Sequence, residues 1–169
     1  MQDLLEAIER DSLAQMKRLL SSKKYDLNSD VEIGTEYDLD EYDEVPLLFW
    51  AIQMGASIDA IELLLDNGMK LDYTTREGLG AVDVATKYSR LDVLKLCKQY
   101  GLDLTKTKRR SGLTPFMLAT SFSDIELMQF FIDEGALVDE KDNFGMSALD
   151  YAIKMGQTRA KEFLEEILS

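Results

Sequence analysis

The sequence predicts an all-α protein, a solenoid of stacked helix-turn-helix units with short projecting turns. Three observations predict it. Ala51, Ala85, Ala119 and Ala152 recur at steps of 34, 34 and 33 residues, each inside a similar phrase. Four residues after each anchor stands a small residue, at Gly55, Ser89, Ser123 and Gly156. A glycine then follows at Gly68, Gly101 and Gly135. A fixed period of this length marks a repeat architecture. One helix pair cannot bury its own apolar face, whereas a stack of pairs can.

Each element follows from local chemistry. Residues 1–28 read as a divergent first repeat. Leu4, Leu5 and Ile8 mark one short helix, with Leu13, Met16, Leu19 and Leu20 on the next and Ala7 at the anchor. Asp3, Glu6 and Glu9 keep an outer face polar, as a terminal repeat requires. The step from Ala7 to Ala51 is 44 residues, so an insertion falls at 29–44. Residues 30–44 hold eight acids and no lysine or arginine, with Val31, Ile33, Tyr37 and Leu39 between the acids. Two readings stay open there: a solvated acidic loop, or a β-hairpin turning at 34–36, with Ile33 opposite Tyr37 and Val31 opposite Leu39.

Residues 45–76 form the second repeat, with helices near 46–54 and 58–67. Residues 77–109 form the third, with Leu91, Val93, Leu94 and Leu96 on its second helix. Residues 110–142 form the fourth. Pro115 can open its first helix, since a missing N–H is harmless in a first turn, and Pro46 can do the same in the second repeat. Ile125, Leu127, Met128, Phe131 and Ile132 supply the apolar face of its second helix. Gly135 follows, where a left-handed residue is wanted. Residues 143–169 form the fifth repeat. Its last helix, about 158–168, turns Lys161, Glu162, Glu165 and Glu166 to solvent. The whole chain reads as one domain.

The phrase Gly112-Leu113-Thr114-Pro115-Phe116-Met117-Leu118-Ala119, followed by Gly135-Ala136-Leu137-Val138-Asp139, resembles the ankyrin repeat. About four full copies and the divergent first one carry the resemblance, over nearly the whole chain; it suggests a small bacterial member. The family's Thr-Pro-Leu-His histidine is missing, because the chain has no histidine. Phe49, Asp83, Met117 and Asp150 stand there. The aspartates can still bond a neighbouring turn; Phe49 and Met117 cannot.

Composition excludes several functions. The chain has 169 residues and a net charge of −13, with 46% hydrophobic residues. That balance disfavours nucleic acid and anionic membranes as partners and fits a basic partner protein. The N-terminus lacks a basic start and an apolar run, so a cytoplasmic monomer is expected. Without histidine there is no conventional Ser-His-Asp or Cys-His pair, so no enzyme is expected. The single Cys97 excludes an internal disulfide and reads as a buried small hydrophobe. Residues 38–44 offer carboxylates but not the glycine of a calcium loop, so no metal and no cofactor is expected. Trp50 reads as core.

Three sets of residues are candidates for partner binding. The first is Met54, Tyr88, Phe122 and Met155, each three residues past an anchor, with Gln53, Lys87, Ser121 and Lys154 beside them. The resemblance implies that this position lines a concave groove. Large apolar residues there mean a binding stripe, since such residues are enriched in interface cores, or else packing between repeats. The second set is the acidic finger: Glu36, Tyr37, Asp38, Asp40, Glu41, Tyr42 and Asp43. The third is the basic finger: Lys106, Lys108, Arg109 and Arg110. The resemblance implies non-enzymatic recognition of another protein. The alternative is a dedicated inhibitor, such as an immunity protein neutralising a basic toxin or enzyme.

Overall fold

The computed structural model describes the backbone of residues 1–22, 24–35 and 38–169, and the side chains of these apart from 33–35 and 38–43. Among the described residues there are ten α-helices and a two-stranded sheet. The fold is that of an all-α repeat protein carrying one hairpin. The chain divides into two compact units, Met1–Leu71 and Asp72–Ser169.

In the first unit, α1 (Gln2–Glu9) packs on α2 (Leu13–Ser22), and α2 on α4 (Ile58–Asp66). Strands β1 (Asp30–Thr35) and β2 (Asp38–Pro46) lead into α3 (Leu47–Gln53). Leu4, Ile8, Met16, Ile61 and Leu64 are fully buried, and Trp50 is core as expected. Asn28 ties two loops together. Its side-chain amide donates to the Gly68 carbonyl, and its carbonyl oxygen accepts from the Lys70 N–H.

The insertion forms a hairpin, with a register unlike the expected one. Val31 faces Val45 and Ile33 faces Asp43, not Leu39 and Tyr37. The ladder shifts between Gly34 and Thr35, where Thr35 faces Asp38. Pairing is set from the base, where the Leu47 N–H donates to the Ser29 carbonyl and Val31 is buried. The irregularity is left to the far end. Pro46 also differs from expectation: it closes β2 and stands just before α3, not in its first turn.

In the second unit, α5 (Ala81–Lys87), α7 (Pro115–Ser121) and α9 (Ala148–Lys154) pack side by side in that order. Behind them α6 (Leu91–Gln99), α8 (Ile125–Asp133) and α10 (Thr158–Leu168) each pair with the helix before them. The anchor alanines are buried in every repeat, which lets neighbouring backbones approach. The small residues past them take left-handed backbone: φ is 79° at Gly55, 53° at Ser89, 54° at Ser123 and 67° at Gly156. Asp11 does the same in the first repeat, at 49°. Pro115 opens α7 as expected, behind the Thr114 hydroxyl, which accepts from the Met117 N–H.

Candidate functional site

Met54, Tyr88, Phe122 and Met155 occupy one structural position, the C-terminal cap of α3, α5, α7 and α9. A cap residue at the end of a short helix has no following turn to cover it. All four are exposed, at 46%, 37%, 52% and 57%. In the second unit, Tyr88, Phe122 and Met155 therefore mark the same end of three adjacent helices. Lys87 and Lys154 beside them are exposed, Ser121 is half-buried, and Gln53 is exposed in the first unit. The Lys87 ammonium lies 5.4 Å from the centre of the Tyr88 ring.

At the opposite end of the same helices lie three turns, at 75–78, 109–112 and 142–145, joined in a row. The Arg110 N–H donates to the Glu77 carbonyl at 3.1 Å. The Asn143 N–H donates to the Ser111 carbonyl at 2.9 Å, and its side-chain amide to the Arg110 carbonyl at 2.7 Å. A seven-residue helix at 1.5 Å per residue separates the turns from the caps by roughly 10 Å.

The basic finger splits in two. Lys106, Lys108 and Arg110 are exposed, whereas Arg109 turns inward, 3.9 Å from the Asp83 carboxylate. Asp83 is buried; one oxygen accepts from the Gly80 N–H and the other makes no hydrogen bond. Burial pushes its carboxyl up, against the pull of the Gly80 N–H and the Arg109 charge. Asp150, at the equivalent position, accepts from both the N–H and the hydroxyl of Ser147. So where the family histidine is missing, each aspartate caps its own helix, while Phe49 and Met117 are core.

Asp142 organises the last turn. Its carboxylate accepts from the Phe144 and Met146 N–H groups and from the Tyr151 hydroxyl. Burial acts to raise this carboxyl, but the Tyr151, Met146 and Phe144 bonds, with the Lys154 charge, outweigh it and hold it below its ordinary 3.8. The Tyr151 hydroxyl is correspondingly pushed up to about 12, by burial and then by Asp142. A carboxyl depressed in the fold contributes stability that is fully present above 3.8 and is lost as pH falls through the lower folded value. Asp142→Asn is therefore expected to cost roughly 1–3 kcal/mol at neutral pH. Urea titrations should show the gap to wild type closing in strong acid.

Phe144 and Ile153 are among the exposed apolar residues that the sequence did not single out. Phe144, at the tip of the last turn, is 75% exposed. An aromatic residue between Asn143 and Gly145, outside any helical period, was the available signal. Ile153 is 57% exposed, although its equivalents Ile52, Thr86 and Thr120 are buried. The acidic-finger residues Glu36 and Tyr37 lie outside the described residues, as do the side chains of Asp38, Asp40, Glu41, Tyr42 and Asp43. Cys97 is buried, and burial pushes its thiol up to about 12, so it is inert packing. Among the described residues, no cluster has the make-up of a metal site. No described helix is long and apolar enough to cross a membrane.

Stacked short helix pairs, buried anchor alanines and a row of joined turns define a helical repeat protein. The chain belongs to the ankyrin-repeat family: the model for ankyrin repeats (3 copies) matches residues 84–167. It is similar to the ankyrin repeat protein nuc-2 of Neurospora crassa, 32% identical over 95% of this chain and 14% of the relative. It is also similar to the glycerophosphocholine phosphodiesterase gde1 of Schizosaccharomyces pombe, 29% identical over 66% of this chain and 10% of the relative. A third relative is the NF-kappa-B inhibitor cactus of Drosophila melanogaster, 26% identical over 57% of this chain and 20% of the relative. The chain thus spans a small part of the length of these relatives. Ankyrin repeats generally mediate protein–protein interaction and are generally not enzymatic.

Proposed function

We propose that this chain is a non-enzymatic binding module that docks a partner protein on the cap residues of its first helices. The observation that carries the reading is the exposure of Tyr88, Phe122 and Met155 on three adjacent helices. Packing between repeats would have buried them. A preformed, rigid surface loses little conformational entropy on binding. Exposed Lys106, Lys108 and Arg110 orient the partner at the turns. Met54 is the equivalent anchor of the first unit.

The test is a pull-down from lysate of the source cell, with wild type and Tyr88→Ala/Phe122→Ala side by side. Truncating two aromatic anchors is expected to weaken a true partner by about a hundred-fold, near 3 kcal/mol. The variant must keep the wild-type thermal unfolding. Equal retention by both proteins would refute this placement.

A second reading is a dedicated inhibitor of a basic toxin or enzyme. It is favoured by the charge distribution. The first unit has six basic and sixteen acidic residues, a formal charge of −10, against −3 for the second with thirteen and sixteen. Eight of those acids lie in 30–44, where they would steer a basic partner and raise its association rate. Replacing Asp38, Asp40, Glu41 and Asp43 by their amides would leave the association rate unchanged if this reading were wrong.

A further inference from the structure

We propose that the binding face of the second unit recognises an acidic protein segment carrying large apolar side chains, the opposite charge to the partner that the whole-chain charge suggests. The inference rests on the groove reading above and adds the chemistry of the occupant. It starts from where the charges of this unit point.

The carboxylates of the first helices and the last turn are occupied by the fold. Asp83 is buried beside Arg109. Asp142 is buried under three hydrogen bonds. Asp150 is bonded twice by Ser147. From Ser111 to Ser123, through the central turn and α7, there is no acid at all. The cations of the same elements point outward. Lys87, Lys106, Lys108, Arg110 and Lys154 are exposed, and among the described residues none holds its side-chain charge within 4 Å of a carboxylate.

The second helices are mixed, with exposed Lys95 and Arg159 alongside exposed Glu126 and Asp133. Asp92 is engaged by Arg90 and Glu134 by Lys98, while Glu162, Glu165 and Glu166 crowd the end of α10. Five exposed acids remain along the loops and turns: Asp72, Glu77, Asp103, Asp139 and Glu140, with Asp103 accepting from the N–H and the hydroxyl of Thr105. Glu77 is held ionised by a backbone bond, then by Thr75 and the Arg110 charge. None of the five lies at the helix ends where the aromatic residues sit; the one carboxylate there, Asp124, is engaged by the Ser89 hydroxyl and the Leu127 N–H.

Cations and apolar groups are interleaved at those ends, Lys87 with Tyr88 and Lys154 with Met155, around Phe122. A carboxylate approaching Lys87 meets an ammonium already placed over an aromatic ring. The apolar neighbours then take the adjoining side chains of the segment. A polyanion such as nucleic acid would use the cations and leave Tyr88, Phe122 and Met155 unmatched, and the chain's charge of −13 would repel it.

The experiment is a selection from a random-peptide display library on the full chain, discarding every peptide also retained by Lys87→Glu/Lys154→Glu. This subtraction removes binders of the acidic first unit. The expected survivors are net-negative peptides rich in leucine and aromatic residues. One survivor, titrated against folded variants, should lose about ten-fold in affinity on the lysine variant and also weaken on Tyr88→Ala/Phe122→Ala. Neutral or net-positive survivors, or none, would overturn the proposal. So would acidic survivors that bind Tyr88→Ala/Phe122→Ala as tightly as wild type, or that an oligonucleotide of equal charge displaces; these would mark a nonspecific polyanion patch. A partner from the lysate pull-down that the aromatic variant loses, but that the lysine variant binds like wild type, would keep the groove reading and refute the charge assignment alone.

Discussion

Gly78→Ala is expected to destabilise the second unit severely, by about 4 kcal/mol or more. Two costs combine. Gly78 has φ +84°, a left-handed backbone that costs an ordinary residue roughly 1–2 kcal/mol. The larger cost is steric. A Cβ there would lie 1.9 Å from the Lys108 carbonyl oxygen, 2.4 Å from its carbon and 2.8 Å from the Arg109 nitrogen. All three are backbone atoms, so no rotamer relieves the clash and one turn must move from the next. That movement would break the Arg110-to-Glu77 bond and draw Arg109 away from Asp83. A loss of this size is a large share of the 5–15 kcal/mol typical of a domain. Gly101→Ala is the control. Its φ of +80° carries the same backbone cost, but nothing lies within 4 Å of its Cβ. Urea midpoints should separate the two variants clearly. Equal midpoints would mean that the turns are not in contact at Gly78.

Phe131→Ala should follow closely, with a loss of about 3–5 kcal/mol. Phe131 is fully buried on α8, on the face that also buries Leu127 and Met128. Truncation removes the transfer energy of a ring and leaves a cavity, because helices held by several neighbours relax only partly. Its neighbour Phe130 stands 5.6 Å away, ring to ring, and is only half-buried. Phe130→Ala is therefore expected to lose less than half as much. Chemical denaturation of the two variants checks the ranking. A larger loss at Phe130 would place the core of this helix on the wrong face.

Much of the fold was legible because repetition makes the same physical demand several times. One alanine among bulky residues is ambiguous, but four at a common period are not. The positions four residues later are legible in the sequence only as small. The backbone there is left-handed even at Ser89 and Ser123, where the residue type does not favour it. The hairpin was legible as a possibility and its register was not. Alternation of acids and apolar residues fits more than one pairing, and the choice fell to the base of the hairpin, against Leu47 and Ser29.

The candidate site was legible in part. The positions of Tyr88, Phe122 and Met155 follow from the period, but exposure does not, since an apolar residue at a helix end serves core and surface equally. Arg109 shows the limit most plainly. In sequence it is one of four bases among five residues, 106–110; in the fold it faces inward to Asp83, twenty-six residues earlier.

The sequence by itself determined the family, the helix pairs and the anchor alanines, because these depend on residue size and spacing within one repeat. The tertiary structure alone decided which acids are buried, which cations stay free, how the hairpin pairs and where Phe144 and Ile153 meet solvent. Those outcomes depend on contacts between residues distant in the chain, and a local pattern carries no information about what will pack against it.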